Sequence, residues 1–94
     1  MNQSATPSAL VHRVATRLGT IHVTVSGEGS PALLWHGMFI DGQSWERMTP
    51  RLAAMRQLIV VDGPGHGRSD PLRRLGTVDE CAAVAVEILN ALGI

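Results

Sequence analysis

Two short turns carry the residues whose types and spacing best suit chemistry. Residues 36–39 (His-Gly-Met-Phe) follow the apolar run 32–35, and residues 62–69, which contain three glycines, follow the apolar run 57–61. Short apolar runs ended by turn residues are typical of buried strands. Ligands of open parallel sheets bind beyond the carboxyl ends of the strands, so both turns are candidates for a binding or catalytic site.

Four alternatives can be weighed against that interpretation: a turn without chemistry, two phosphate-binding motifs and a metal site. Residues 62–69 also fit a glycine-rich turn without chemistry, because glycine lets the backbone turn where side chains would clash. A dinucleotide fingerprint needs a third glycine where the two available registers have Arg68 or Asp70, and a P-loop needs a lysine, which the sequence lacks. The histidines match no common zinc spacing, so we expect neither metal nor cofactor. They are His12, His22, His36 and His66.

The elements around these turns can be predicted from periodicity and from turn residues. We expect residues 1–10 to be a flexible tail and residues 11–94 to form one domain. Residues 11–18 and 21–25 favour a β-hairpin, because the second segment alternates apolar and polar residues, as a strand with one solvated face does. Residues 32–35 and 57–61 are continuous apolar runs and predict strands covered on both faces.

Helices are predicted between and after the buried strands. A first helical turn can form over residues 44–48 with Ser44 as N-cap, and Thr49 should cap a clearer helix over residues 50–55. Thr77 and Glu80 form a capping box, and Gly93 should end the helix that follows. Its apolar face is predicted to hold Val78, Cys81, Ala82, Ala85, Ile88, Leu89 and Leu92.

Composition narrows the classes of function. Apolar residues make up 45% of the 94 residues, which is ordinary for a globular protein, and the formal net charge is zero. The arginines are scattered, so no basic stripe indicates nucleic acid. The single cysteine, Cys81, is expected to be a small buried hydrophobe. No signal peptide or membrane span is visible, so we expect no membrane partner and a cytoplasmic location.

Strands that alternate with helices predict an α/β protein with a mostly parallel sheet flanked on both faces. Together the two turns, with Trp45 between them, resemble the α/β-hydrolase superfamily over about residues 13–94. Residues 38–45 and 62–70 are most similar to the branch of esterases, haloperoxidase-like enzymes, epoxide hydrolases and carbon–carbon bond hydrolases. This resemblance implies the sheet order first, second, fourth, third, fifth, and hydrolysis of an ester or similar bond of a small molecule.

The resemblance also implies roles for particular residues. The backbone N–H of Met38 is expected to contribute to an oxyanion hole near the turn that begins at Asp62, and His36, Gly37 and Phe39 are expected to line the substrate site. His36 and Gly37 would position Met38 without acting as acid or base. Residues 62–69 would shape the floor of the site and anchor the loop that follows.

The nucleophile of such enzymes is missing from the pattern. Two segments, centred on Ser44 and Ser69, partly match its Gly-x-Ser-x-Gly motif, but in each of them another residue replaces the final glycine. We therefore expect a fragment that ends before the nucleophile strand and is inactive alone. The alternatives are a non-catalytic remnant or binding module, or activity after association with a separate C-terminal piece. An uncovered edge of the strand over residues 32–35 predicts self-association.

Overall fold

The computed structural model of this protein describes residues 9–37 and 42–94. Its strands are β1 (Leu10–Thr16), β2 (Gly19–Ser26), β3 (Pro31–Trp35) and β4 (Gln57–Val61). Its α-helices are α1 (Thr49–Ala53) and α2 (Val78–Leu92), and a short 3-10 helix spans Gly42–Trp45. No helix in the described ranges is long and apolar enough to cross a membrane.

The four strands form one sheet in the order β1-β2-β4-β3, which agrees with the expected order of the first four strands. The sheet is mixed rather than mostly parallel. β1 pairs with β2 and β2 pairs with β4 in antiparallel fashion, and only β3 and β4 run parallel. The cause is the N-terminal hairpin, since a tight turn reverses the chain, whereas the connection from β3 to β4 crosses over through α1.

The sheet has a helix on each face, as predicted for an α/β protein. Leu58 and Val60 of β4 point to the α1 side, where they pack with Ala53. The alternate residues Ile59 and Val61 point to the other side. There they pack against residues of α2, and the fully buried members of that helix are Val84 and Ile88. A side-chain period of two thus buries β4 on both faces and explains its continuous apolar sequence.

The hairpin differs from the expectation of one solvated face. Its strands are joined by Arg17 and Leu18, and Gly19 adopts a φ of +101° that favours glycine. The polar residue His22 is only 7% exposed, although its position in the alternation predicts a solvated side chain. It is covered because the turn after β4 folds over this part of β2. A local alternation rule cannot anticipate cover from residues forty positions away.

The first helices begin differently from the prediction. Ser44 lies within the 3-10 helix and is exposed, so it is not a helix N-cap. The N-cap of α1 is Met48, and no side chain caps that helix. The hydroxyl of Thr49 instead donates to the carbonyl oxygen of Trp45 at 2.9 Å. The preceding 3-10 turn supplies that acceptor, so the threonine side chain satisfies a carbonyl behind it instead of an amide ahead of it.

Helix α2 has the predicted ends but a rotated apolar face. Thr77 and Glu80 form both hydrogen bonds of the capping box, and Gly93 takes a left-handed conformation at the C-cap. Val84, absent from the predicted face, is fully buried, whereas Val78 is 85% exposed. Ala82 is also exposed, while Cys81, Leu89 and Leu92 pack at the border of the core as expected. The sheet therefore covers only part of the apolar surface of α2, centred on Val84 and Ile88.

Candidate active site at the carboxyl ends of β3 and β4

His36 directly follows β3 and joins the two candidate turns. Its Nε2 atom accepts a hydrogen bond from the backbone N–H of Gly63 at 2.7 Å. Because an amide can only donate, Nε2 has no proton, and the neutral ring therefore has its proton on Nδ1. Nδ1 lies 2.6 Å from the carbonyl oxygen of Gly37, to which it donates. The buried ring thus uses both nitrogens on backbone groups, and its expected role of positioning Met38 without acting as acid or base stays a prediction.

Asp62 directly follows β4 and binds backbone on both sides of its carboxylate. Oδ1 accepts from the N–H of Gly42 at 2.7 Å. Oδ2 accepts from the N–H of Arg68 at 2.9 Å and from its Nε at 2.8 Å. The guanidinium also reaches Oδ1 at 3.3 Å. The carboxylate is 1% exposed, and this set of donors compensates for the loss of water around a buried charge.

The two residues after β4 therefore hold both flanks of residues 38–41. Gly63 binds His36 on the amino-terminal side, and Asp62 binds Gly42 on the carboxyl-terminal side. Met38 and Phe39, which the sequence assigns to the oxyanion hole and to the substrate site, lie outside the described residues. His36 and Gly37 do lie beside Gly63 at one end of the sheet, as the resemblance requires. Sequence reasoning placed the turns together but did not anticipate the double attachment.

The ionisation of Asp62 is fixed by its donors. Burial alone would raise its pKa, but the hydrogen bonds from Arg68 and Gly42, with the charge of the guanidinium, outweigh burial and lower the pKa below its ordinary value. The carboxylate is therefore ionised at neutral pH. A fixed negative charge here organises backbone donors, and it has no proton to give to a substrate.

His22 lies against the other side of this carboxylate. Its Nδ1 is 3.7 Å from Oδ2 of Asp62, too far for a hydrogen bond, and this buried nitrogen has no hydrogen-bond partner among the described residues. Burial, followed by the positive charge of Arg68, lowers the pKa of His22, although Asp62 acts in the opposite direction. The imidazole is consequently neutral at pH 7 and fills space beneath the turn.

The rest of the turn is attached to the hairpin. The hydroxyl of Ser69 accepts from the N–H of His22 at 2.9 Å and donates to the carbonyl oxygen of Asp62. Arg13 of β1 forms an ion pair with Asp70 at 2.7 Å. Ser69 is therefore a buried loop residue bonded to nearby backbone, as predicted. Its proton is committed to a carbonyl, so the hydroxyl has no base that would activate it.

A cavity of about 410 Å³ lies beside His36, between the end of β3 and the start of α2. His36 and His66 share it, with ring centroids 5.0 Å apart. The remaining walls are mostly apolar, and they include Trp35, Pro64, Leu72, Leu75, Val78 and Cys81. The space suits an apolar group. In the described part of the chain, no three His, Cys, Asp or Glu side chains converge to hold a metal ion.

Comparison with known proteins relates this arrangement to hydrolases, although no family model matches the chain. The dihydrolipoyllysine-residue acetyltransferase component of the acetoin cleaving system of Pseudomonas putida is 38% identical over 71 residues, which are 74% of this chain and 19% of that protein. A pimeloyl-(acyl-carrier protein) methyl ester esterase from Legionella pneumophila is 43% identical over 47 residues, 50% of this chain and 20% of the esterase. Naproxen esterase from Bacillus subtilis superimposes with a TM-score of 0.82 at 25% identity, covering 94% of this chain and 32% of that structure.

These similarities agree with the topology and with the two turns at the sheet end. Over the part that it shares with such proteins, the chain belongs to the α/β-hydrolase superfamily. It spans about a fifth of the length of the curated relatives and about a third of the solved structure. The described residues correspond to the hairpin and the first parallel strands of that fold.

Proposed function

We propose that this chain supplies the oxyanion-binding part of a hydrolase site that acts on an ester or similar bond of a small molecule. The observation that carries the proposal is the bond from the Gly63 N–H to His36 Nε2 at 2.7 Å. It fixes the backbone that leads into Met38 at the carboxyl end of β3. In this proposal the Met38 N–H donates to the oxygen that becomes negative as the ester carbonyl is attacked.

The physical reason is preorganisation. An amide that is already oriented stabilises a developing oxyanion without reorganising during the reaction, and one such donor supplies about 10²–10³ in rate. The bonds at His36 and at Gly42 support this role, because they hold the chain on the two flanks of residues 38–41. The apolar cavity beside His36 supports an uncharged acyl or alkyl group as the neighbouring part of the substrate.

We propose further that residues 1–94 do not include the nucleophile. Ser44 is exposed within a 3-10 helix, and Ser69 is buried, with its hydroxyl donating a hydrogen bond to the carbonyl oxygen of Asp62. Neither stands on a strand-to-helix elbow beside a histidine, which a serine nucleophile requires. A longer protein, or a separate C-terminal piece, would have to supply the nucleophile, the acid and the catalytic histidine. Without them the chain acts as a binding module or a remnant.

A chimaera tests the proposal directly. Residues 9–94 replace the corresponding first third of naproxen esterase, and hydrolysis of p-nitrophenyl acetate is measured. We expect activity, and we expect Met38→Pro to lower kcat/KM by about 10²–10³, because proline has no N–H to donate. Met38→Ala keeps the N–H and is the matched control. A folded chimaera in which both variants behave alike would exclude the Met38 amide as the donor.

A further inference from the structure

A second cavity, of about 430 Å³, lies between the N-terminal hairpin and the loop that follows the turn after β4. It is lined by residues 15–20 of the hairpin and residues 70–74 of the loop, and we call it the hairpin cleft. It shares only Leu18 and Leu72 with the cavity beside His36. The strand order places β1 and β2, which border this cleft, on the opposite side of the sheet from β3.

The walls of the hairpin cleft are held together on both sides. The N–H of Asp70 donates to the carbonyl oxygen of Thr20 at 2.9 Å, which attaches the start of the loop to β2. At the other end, Gly76 lies so close to Leu18 that an added Cβ would be 2.7 Å from Cδ1 of the leucine. The hairpin thus contacts the loop before and after residues 71–75, and the cleft is a feature of the fold itself.

Positive charge predominates on the lining of the hairpin cleft. Three of its eleven lining residues are arginines and one is an aspartate. Arg17 belongs to the turn of the hairpin, whereas Arg73 and Arg74 belong to the loop. The aspartate, Asp70, is paired with Arg13 at 2.7 Å. The cleft therefore presents cationic groups from two different segments of the chain.

Helix α2 positions two of these arginines. Glu80 and Glu87 are seven residues apart, so they lie on one face of the helix. Glu87 accepts from Nε of Arg17 at 3.0 Å. Glu80 accepts from the two terminal nitrogens of Arg74 at 3.0 and 2.6 Å. Because these pairs balance two of the three arginine charges, Arg73 supplies the remaining positive charge of the cleft.

Several donors on this lining have no acceptor among the described residues. Arg17 uses its backbone N–H and Nε on Glu87, and its two terminal nitrogens bond to no other described group. The guanidinium of Arg73 bonds to none, and the same holds for the backbone N–H groups of Leu72 and Arg73. Such a set of unmatched donors is complementary to an anion with several oxygens.

We propose that the hairpin cleft binds the phosphate group of a small phosphorylated molecule. A phosphate monoester has about two negative charges and three acceptor oxygens, so it can accept from Arg17 on one side and from Arg73 on the other. A single guanidinium already satisfies both oxygens of a planar carboxylate. The volume lies in the range of about 300–1,000 Å³ that is usual for ligand pockets, so the body of the molecule fits beside its phosphate. This site does not depend on the proposed hydrolase function.

Titration of the 94-residue chain with phenyl phosphate at neutral pH tests the proposal, with backbone amide NMR signals as the readout. The amides of Arg17 and Arg73 should shift along one saturable curve. Benzoate has the same ring but a carboxylate, and should bind about tenfold more weakly because it leaves one guanidinium without an acceptor. Benzyl alcohol, which is uncharged, should not bind. Equal affinity for benzoate would overturn the assignment to phosphate.

Arg73→Gln should weaken the binding of phenyl phosphate about tenfold. Arg73 is exposed and its side chain bonds to no described group, so the variant should fold. Arg51→Gln is the matched control, because Arg51 of α1 is also exposed and lies outside the cleft. It should leave the affinity unchanged. Equal weakening by both substitutions would show only general attraction between arginines and anions, and would overturn the proposal. Failure of Arg17 and Arg73 to shift would overturn it as well.

Discussion

His36 and Gly63 are joined by a hydrogen bond of 2.7 Å from the Gly63 N–H to Nε2 of the imidazole. Because a backbone amide can only donate, Nε2 is the acceptor nitrogen of the ring. Nδ1 is then the nitrogen with the proton, and it donates to the carbonyl oxygen of Gly37. The side chain therefore works as a rigid connector between the ends of two parallel strands. Its position shows how a histidine can hold two strand ends together through hydrogen bonds to backbone groups alone.

Replacing this connector should destabilise the fold. His36→Phe keeps the ring volume but leaves the buried Gly63 N–H without its acceptor. We expect the free energy of unfolding to fall by about 1–3 kcal/mol, measured by urea denaturation. His66→Phe is the matched control, because His66 is only half-buried and its Nδ1 lies 2.9 Å from the carbonyl oxygen of Pro64 within the same turn. Equal losses from the two substitutions would contradict the role assigned to His36.

Asp62→Asn should lower the free energy of unfolding more than Asp70→Asn does. The Asp62 carboxylate is 1% exposed and accepts from Gly42 and Arg68, so an amide there turns a donor toward other donors. We expect a loss of about 2 kcal/mol. Asp70 forms its ion pair with Arg13 at an exposed position, where such pairs contribute about 0–1 kcal/mol. Urea denaturation of both variants in one buffer makes the comparison, and the reverse order would refute it.

Local sequence rules predicted most of the fold because the relevant forces are local. The capping box of Thr77 and the C-cap at Gly93 depend on neighbours within a few residues, and β4 is recognisable from its own continuous apolar run. The predictions are wrong where contacts between distant segments determine burial. His22 is buried by the turn that begins about forty residues later in the chain. Val84 is buried because it lies on the part of α2 that packs against the sheet. The site was predicted by resemblance, whereas the Asp62–Gly42 bond has no signal in spacing alone.

The capping box should make stability depend on pH in acid. Hydrogen bonds with Arg74, and then the bond from the Thr77 amide, lower the pKa of Glu80 to about 2. The unfolded carboxyl has an ordinary pKa of about 4.3, so the unfolded chain binds the proton first. The contribution of Glu80 is complete above about pH 4.3 and is lost as the pH falls toward about 2.

Thermal melting between neutral pH and pH 2 measures this dependence. Glu80→Gln should make the melting temperature fall less as the pH is lowered, because the amide cannot titrate. Asp79→Asn is the matched control, since Asp79 lies in the same first turn of α2 and makes no bond of the capping box. If both variants follow the unsubstituted chain, Glu80 does not contribute to the acid sensitivity.

The purified chain should have no triad-dependent esterase activity. Ser44 is exposed in a 3-10 helix and Ser69 is bonded to backbone on both sides, so neither is an activated nucleophile. p-Nitrophenyl acetate should be hydrolysed no faster than with the denatured protein. Ser69→Ala should instead lower stability by about 1 kcal/mol through loss of its buried bonds, whereas Ser44→Ala should have little effect. Turnover that either substitution abolishes would disprove this prediction.

His22 should titrate below its ordinary range. Burial first, and then the charge of Arg68, lower its pKa, so the folded protein binds the proton less readily than the unfolded chain. Its contribution to stability is complete above about pH 6.5, the ordinary pKa, and declines as the pH falls through the lowered value. NMR titration of the His22 ring protons measures the pKa directly. Arg68→Gln should raise it, because a neighbouring positive charge is removed. Arg17→Gln, which breaks a pair with Glu87, should not, and a ring that titrates at or above pH 6.5 would contradict this account.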